Sequence, residues 1–518
     1  MADRTYAEDL TASEPCSLPA DPPKPKTRAV LDTPLRDLIG PALLVLTSFL
    51  WFRTMSGGVI AFDDIGAVAH YGDPTVSLTD RMILDVTANR WRPVFTTIFT
   101  VLVRLFGENY TAYFWFNVGL TTVLALLVYG FVRKFSGGRI VATATAALVL
   151  TARFSYYGVT QVIGGPLETV CLILLVLLIW AVWSFERSGR QHYLGLALLY
   201  YTLILHTHER YFVLIAVLVP VVLISSRLSI RRRLLWSAAF AVPLALSIAI
   251  RVLVLHLPLL VGTGSASELG FTPRAAVKHY LESVVQTAGV NVGPEYLNGL
   301  TFPHLTTPWQ VASIVLVVVV IVTMLFALAV VPGTRRRWLV DSGPPRFAAI
   351  GLLLILALIL SFSITIRVEP RWVYAPFMVW MLLWAGAAAS LAHRRWGRVF
   401  VTTSLVVILA LSAGLNTQYR TGANGEYFMG ARAFATDIIA KTVGRYGTAI
   451  AARPIYVLDP ALSLDWTAYL PPLIAVNSDA GPVSVTTVAS LAEVPAGVNA
   501  LVFDVDGGFH EVVEPSAG

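Results

Sequence analysis

Two adjacent carboxylates, Asp63 and Asp64, follow the first long apolar segment of the chain. Charged side chains beside lipid are costly and usually line a polar, functional cavity. A carboxylate can accept the proton of a hydroxyl group and so act as a general base. Adjacent side chains diverge in an extended turn, so we expect that only one of the two carboxylates can reach the proton of a given hydroxyl.

Arginines and a histidine gather in the predicted turns on the same side of the chain. A planar guanidinium can bind two phosphate oxygens at once. Carboxylates beside several arginines therefore suit a reaction between a hydroxyl and an anionic, phosphate-bearing donor. The candidate donor-phosphate or substrate-binding residues are Arg90, Arg92, His208, Glu209, Arg210, Arg367 and Arg371.

Each of these groups also has a structural interpretation. Asp63 and Asp64 could cap a loop or pair with Arg90 or Arg92, and these two arginines could anchor the chain at the membrane interface. Arg367, Glu369 and Arg371 could form a mutual surface ion pair. His206, His208 and Glu209 could bind zinc by their spacing, but two histidines at i and i+2 do not share a helix face. Arg251 could extend outward from its apolar segment.

Composition identifies a membrane protein. The 518 residues are 56% hydrophobic and 13% charged, whereas soluble domains average about 25% charged residues. The isoelectric point of about 9.4 does not indicate nucleic-acid binding, because the Lys and Arg residues concentrate in the predicted loops of one side. Residues 1–37 are polar and proline-rich, which predicts a disordered tail.

Apolar runs predict about eleven transmembrane helices, since a span needs about 20 residues. The third and fifth runs are marginal in length. The predicted spans are 38–56, 112–132, 140–156, 166–184, 193–206, 211–226, 232–256, 309–331, 347–366, 372–391 and 398–414.

The distribution of positive charge predicts the sidedness. With the N-terminus in the cytoplasm, every inner segment carries at least two Lys or Arg residues, in agreement with the positive-inside rule. This puts loops 57–111 and 257–308 and the terminal region 415–518 outside. Residues 93–107 are too short to span, and we expect an interfacial or re-entrant helix with Pro93 in its first turn.

The terminal region predicts a separate extracytoplasmic α/β domain. Residues 426–446 have the apolar periodicity of a helix. Residues 454–459 and 500–506 are short apolar runs typical of buried strands. Residues 38–414 form the predicted transmembrane domain.

The first outer loop resembles the GT-C superfamily of glycosyltransferases. The matching residues are Phe62-Asp63-Asp64, Arg90-Trp91-Arg92-Pro93 and Leu105-Phe106-Gly107-Glu108-Asn109. The layout is similar to that of protein O-mannosyltransferases, lipid A aminoarabinose transferases and actinobacterial arabinofuranosyl- and mannosyltransferases over roughly residues 38–260. This chain has Asp-Asp where many relatives have Asp-Glu.

The resemblance implies an integral membrane glycosyltransferase of the cell envelope that uses a polyprenyl-phosphate sugar donor. It would transfer the sugar, with inversion, to a glycan, lipid or protein hydroxyl on the extracytoplasmic face. It also implies that Asp63 or Asp64 is the base. We expect Asp63 to take the proton, and Asp64 to support it through a divalent metal, a sugar hydroxyl or a basic neighbour.

The alternative is a transporter or flippase of lipid-linked glycan intermediates. Transporters more often show repeated halves and charges at the membrane midplane. In this sequence no repeat is visible, and the charges lie at the predicted edge of the membrane, so the enzyme is favoured.

Overall fold

Long apolar runs fold into helices because a helix satisfies its backbone polar groups internally, as lipid requires. The computed structural model describes residues 33–61, 63–87, 91–256, 272–289, 295–296, 300–301, 307–330, 344–364, 369–392, 394–421, 427–461, 464–495, 497–506 and 508–512. Its helices are α1 (Thr33–Phe52), α2 (Asp63–Gly72), α3 (Leu78–Thr87), α4 (Pro93–Phe106), α5 (Tyr110–Ser136), α6 (Arg139–Thr151), α7 (Ser155–Thr160), α8 (Val170–Ser188), α9 (His192–Thr207), α10 (Ile215–Leu223), α11 (Ile230–Ala249), α12 (Pro273–Ala288), α13 (Thr307–Val330), α14 (Pro344–Ser363), α15 (Pro370–Ala392), α16 (Arg395–Thr421), α17 (Tyr427–Lys441), α18 (Val443–Tyr446) and α19 (Trp466–Val476).

Eight helical segments of the described chain are long and apolar enough to cross a membrane. They match predicted spans and are Asp37–Met55, Tyr110–Ser136, Gly165–Ser188, Ile230–Val254, Thr307–Ala329, Arg346–Ser363, Pro370–Ala392 and Arg395–Arg420. The other three predicted spans fall on α6, α9 and α10, which have 13, 16 and 9 residues. A polytopic α-helical protein is thus confirmed, and three of its predicted spans are short helices packed within the bundle.

Both short helices α6 and α9 end where the backbone becomes extended. Ala152 follows α6 with ψ near 141°, and His208 follows α9 with ψ near 121°. The chain then continues as short helical turns that carry polar residues. These interruptions explain why the third and fifth runs were marginal by length.

The segment predicted as an interfacial or re-entrant helix is α4, 14 residues long with Pro93 in its first turn. Proline fits there because the first helical N–H groups have no intrahelical acceptor. One face of α4 buries Phe95, Phe99 and Val103. Since α4 packs against α2, α5 and α9, it lies against the helical bundle.

The strands of the described residues are β1 (Glu295–Tyr296), β2 (Leu300–Thr301), β3 (Ile455–Leu458), β4 (Val485–Val488), β5 (Leu501–Asp504) and β6 (His510–Glu511). The last four belong to the terminal region, which contains the predicted α/β structure. β1 and β2 form an antiparallel pair in the second long loop. The other four form one sheet in the order β4-β3-β5-β6, with β3 parallel to both β4 and β5.

The side chains of Asn477 and Arg432 attach this terminal domain to the rest of the protein through four hydrogen bonds. The Asn477 side chain accepts a hydrogen bond from Ile60 N–H at 2.9 Å and donates one to the Ile60 carbonyl at 2.8 Å. Arg432, on α17, donates to the carbonyls of Met55 and Thr160 at 3.0 and 3.2 Å. The terminal domain therefore lies at the end of the bundle where α2 begins.

The predicted sidedness can be tested with single cysteines in a variant that lacks Cys16 and Cys171. Ser188 follows the predicted fourth span, and Asp479 lies in the terminal domain; both are exposed. We expect an impermeant thiol reagent to label Asp479→Cys in intact cells and Ser188→Cys only after permeabilisation. Labelling of Ser188→Cys but not Asp479→Cys in intact cells would contradict the proposed orientation.

Candidate functional site

Asp63 and Asp64 are the first two residues of α2 rather than part of an extended turn. Neighbouring helical residues point about 100° apart, since a turn holds 3.6 residues. Asp63 is exposed, whereas only 2% of Asp64 is exposed. The expected divergence is present, but helix geometry produces it.

The buried carboxylate of Asp64 holds a neighbouring loop. Its Oδ2 accepts a hydrogen bond from Val162 N–H at 2.7 Å, and its Oδ1 accepts one from Ile163 N–H at 3.1 Å. Burial raises the pKa of Asp64 to about 7, against the opposing effect of the two N–H donors. Asp64 is therefore a buried anchor between α2 and the segment after α7, and its salt bridge to Arg92 predicted as an alternative is absent.

Arg432 of the terminal domain approaches the same position. Its two carbonyl acceptors, Met55 and Thr160, flank the segments that meet at Asp64. Gly58 has a φ of 147°, and a Cβ there would lie 3.1 Å from Arg432 Cδ. Burial lowers the pKa of Arg432 to about 10, and the charge of Asp64 opposes this shift. Sequence reasoning did not identify this arginine.

A second group of charged residues, here called the arginine–glutamate cluster, lies close to Asp63 and Asp64, which are here called the acidic pair. Its described members come from α4, the turn after α9, the start of α15 and a π-helical turn at Gly165–Thr169 before α8. They are Arg92, Glu168, His208, Glu209, Arg210, Glu369 and Arg371.

Glu168 lies at the centre of the arginine–glutamate cluster. Its carboxylate pairs with Arg210, and its Oε1 lies 4.0 Å from Arg371 Nε and 3.9 Å from His208 Nε2. The side chain is 5% exposed. Sequence reasoning missed Glu168 because it lies inside a predicted span, although an isolated acid in an apolar run was a usable signal.

Arg92 and Glu209 form a bidentate pair. Nε and Nη2 of Arg92 donate to the two carboxylate oxygens of Glu209, each at 2.6 Å. Although burial opposes ionisation, the Arg92 guanidinium holds the pKa of Glu209 well below its usual range. Arg92 is thus a buried partner of Glu209, not an exposed interfacial anchor.

Arg371 and Glu369 form the predicted ion pair, but inside the protein instead of at its surface. Glu369 is fully buried, and the Arg371 guanidinium lies 3.9 Å above the ring of Tyr157. The carboxylates of the acidic pair and of Glu168 all act on the Tyr157 hydroxyl. Tyr157 therefore lies between the acidic pair and the arginine–glutamate cluster.

Two predicted arginines, Arg90 and Arg367, lie outside the described residues. Arg251 was expected to extend outward, yet it is 2% exposed and close enough to Arg92 and Glu209 for their charges to act on it.

The described residues give the zinc alternative no support. Nδ1 of His206 is 2.7 Å from the Thr202 carbonyl of its own helix, and its ring packs against Trp91. Nowhere in the described ranges do three His, Cys, Asp or Glu side chains lie close enough together to hold a metal ion. Burial, together with Arg92 and Arg210, lowers the pKa of His208, so its imidazole is neutral at pH 7.

No protein-family model matches the chain, and no curated protein matches it. One solved structure that it resembles is ArnT from Cupriavidus metallidurans bound to undecaprenyl phosphate. The two chains are 14% identical, and the superposition covers 89% of this chain and 92% of that one with a TM-score of 0.46. Similarity of this size does not establish a shared activity, so the function must be inferred from the side chains of this protein.

The raised pKa of Asp64 predicts a pH-dependent stability. An unfolded aspartate has a pKa of about 3.9, whereas Asp64 in the folded protein has a pKa of about 7. Between these values the folded state holds a proton that the unfolded state has lost, so stability falls as the pH rises through this window. We expect the melting temperature of the parent minus that of Asp64→Asn to decline from pH 5 to about 7 and then level off.

The matched control for this measurement is Asp80→Asn, an exposed carboxylate in the same loop. Tryptophan fluorescence on the detergent-purified protein gives the melting temperatures. Parallel pH curves for the parent and Asp64→Asn would contradict the buried state of this carboxylate.

Proposed function

We propose that this protein is a membrane glycosyltransferase of the GT-C type. It would transfer a sugar from a polyprenyl-phosphate donor to a hydroxyl of a glycan, lipid or protein on the extracytoplasmic face. The observation that carries the proposal is an exposed carboxylate, Asp63, whose charge acts on Tyr157 together with the charges of Arg371 and Glu168 of the arginine–glutamate cluster. A proton acceptor near guanidinium groups supports this reaction, because guanidinium groups suit a phosphate leaving group.

Asp63 suits the role of general base. It is exposed, and among the described residues its carboxylate has no hydrogen-bond or ion-pair partner. In the proposed step the acceptor oxygen forms a bond to the anomeric carbon while the bond from that carbon to the phosphate oxygen breaks. The hydroxyl proton passes to Asp63, and the electron pair leaves with the polyprenyl phosphate.

Asp64 has a supporting role in this proposal. Its two oxygens accept the N–H groups of Val162 and Ile163, which fixes the start of α2. Because Asp63 is the preceding residue of the same helix, its position depends on this anchor. Of the supports expected for the pair, we propose a basic neighbour, Arg432, because its charge acts on Asp64.

Arg210 and Arg371 suit the donor phosphate better than Arg92. Nη1 of Arg210 is buried without a hydrogen-bond partner among the described residues. Arg371 faces Tyr157, which lies beside the acidic pair. Two nitrogen donors of Arg92 are already used by Glu209, so we propose that Arg92 positions the turn after α9. Arg90 and Arg367 stay predictions.

A transporter explains these observations less well. A transport site would collect charges near the middle of the spans, whereas the acidic pair and the arginine–glutamate cluster lie at helix ends.

Substitutions in the acidic pair test the mechanism. General base catalysis contributes about 10²–10⁴-fold to a rate. Asp63→Asn keeps the side-chain shape but cannot accept a proton, so we expect turnover to fall by about this factor with donor affinity retained. Asp64→Asn should reduce turnover less. Turnover and donor affinity are measured in parallel, with Asp80→Asn as the control.

Near-normal turnover in Asp63→Asn would exclude it as the base. Near-normal turnover in both variants would contradict the proposed mechanism altogether.

The donor-phosphate site is tested by Arg210→Gln and Arg371→Gln. A charge-assisted hydrogen bond contributes about 1.5–3 kcal/mol, so loss of a phosphate contact should weaken donor binding roughly ten- to a hundredfold. Arg104→Gln, an exposed arginine of α4, is the matched control. Donor binding like that of the parent in both variants would place the phosphate elsewhere.

A further inference from the structure

A large cavity lies at the end of the helical bundle opposite the acidic pair. Helix α5 connects the two ends: Tyr110 at its start donates to the Thr160 carbonyl near Asp64, and Ser136 at its end lines the cavity. The cavity has a volume of about 710 Å³ and lies between α8, α10, α13, α14 and α15. Its polar end is therefore at the opposite end of the bundle from the acidic pair, while its inner end reaches Leu214, at the end of the turn that begins at Glu209.

The lining of the cavity is amphipathic along its length. Its wall is mostly Leu, Ile, Val, Phe, Met, Ala and Gly side chains. The charged and hydroxyl groups of the lining are all at one level, where α5, α8 and α15 end and α14 begins. They are Ser136, Glu186, Arg187, Arg346 and Ser390.

The depth of the cavity matches one leaflet of a bilayer. Its lining on α8 runs from Leu175 to Arg187, and on α15 from Val379 to Ser390. At a rise of 1.5 Å per residue these stretches are roughly 17–18 Å long. Half of a hydrocarbon core of about 30 Å is about 15 Å, so an acyl chain entering at the polar end would reach the midplane.

The polar end has an excess of positive charge. Glu186 and Arg346 form a buried ion pair, with Oε1 and Nη2 3.2 Å apart. Oε2 of Glu186 also lies 3.2 Å from Nη1 of Arg346. Nε of Arg346 is buried without a hydrogen-bond partner in the described part of the chain. Arg187 is exposed, with its guanidinium 5.0 Å from the ring of Trp183 on the cavity wall. Since the pair is neutral overall, Arg187 makes the charge of the lining positive, and the charge of Arg227 also acts on Glu186.

We propose that this cavity binds a phospholipid with an anionic headgroup. One acyl chain would fill the apolar part of the cavity, and the headgroup phosphate would lie beside Arg187 and accept from the free Nε of Arg346. The lipid would belong to the leaflet opposite the one that meets the acidic pair. The sugar-transfer mechanism is not needed for this binding, which rests on the shape and charge of the cavity alone.

Photo-crosslinking in nanodiscs tests the proposal with the full-length protein. The bilayer is phosphatidylcholine with a small amount of phosphatidylglycerol that carries a diazirine at the end of one acyl chain. A second preparation contains the same diazirine on phosphatidylcholine. We expect the phosphatidylglycerol probe to label α8, α14 and α15 near Leu175, Leu354 and Val379, several-fold more than the phosphatidylcholine probe does.

Three variants distinguish recognition of the lipid headgroup from binding of the acyl chain. Arg187→Gln should reduce labelling by phosphatidylglycerol to the phosphatidylcholine level, while Arg190→Gln, an exposed arginine outside the lining, should not. Gly386→Leu adds a side chain to the cavity wall and should reduce labelling by both probes. Arg187→Gln alters an exposed residue, so it stays informative even if Gly386→Leu does not fold.

Equal labelling by the two probes would overturn the headgroup preference and with it the proposal. Labelling confined to helices outside the cavity, or an Arg187→Gln variant that labels like the parent, would overturn it as well.

Discussion

A charged side chain held in apolar surroundings must be paired, because the cost of removing it from water is several kcal/mol. The arginine–glutamate cluster meets this requirement with three arginines and three glutamates that come from four separate parts of the chain. Two of the pairs tie helix ends together: Arg92 links α4 to the turn after α9, and Glu168 links the start of α8 to the same turn. Each of these charged side chains therefore has an oppositely charged neighbour at the polar end of the bundle, while Nη1 of Arg210 keeps a donor unused among the described residues.

The acidic pair depends on the same constraint. Helix geometry turns Asp64 inward and Asp63 outward, and only the inward carboxylate receives backbone N–H donors. The terminal domain contributes Arg432, which donates to Met55 and Thr160 on either side of this position. A single buried arginine thus couples the terminal domain to the residue that anchors the proposed base, which gives this domain a structural link to activity.

Much of the architecture could be predicted because it depends on local patterns. Apolar length identified the eight long spans, Pro93 marked the start of α4, and short apolar runs located β3 and β5. The short helices α6, α9 and α10 were harder, because apolar length alone does not reveal where a helix breaks within the bundle.

The pairing of charges could not be predicted, because it depends on which helix ends meet. The sequence identified Arg92, Glu209, Arg210 and Arg371, but not that Arg92 would pair with Glu209 or that Glu168 would join Arg210. Arg432 was missed for the same reason: it is 377 residues from the carbonyl of Met55 that it reaches. The inward orientation of Asp64 required the knowledge that α2 begins at Asp63.

The most direct test of the proposed activity is to incubate the purified protein, reconstituted in vesicles, with a panel of polyprenyl-phosphate sugars and candidate acceptors. The sugar and the lipid of each donor carry separate labels, so that cleavage and transport can be distinguished. We predict that at least one donor is cleaved, with release of polyprenyl phosphate and transfer of the sugar label to a hydroxyl acceptor. Movement of intact donor across the bilayer without cleavage would contradict the account and favour a transporter.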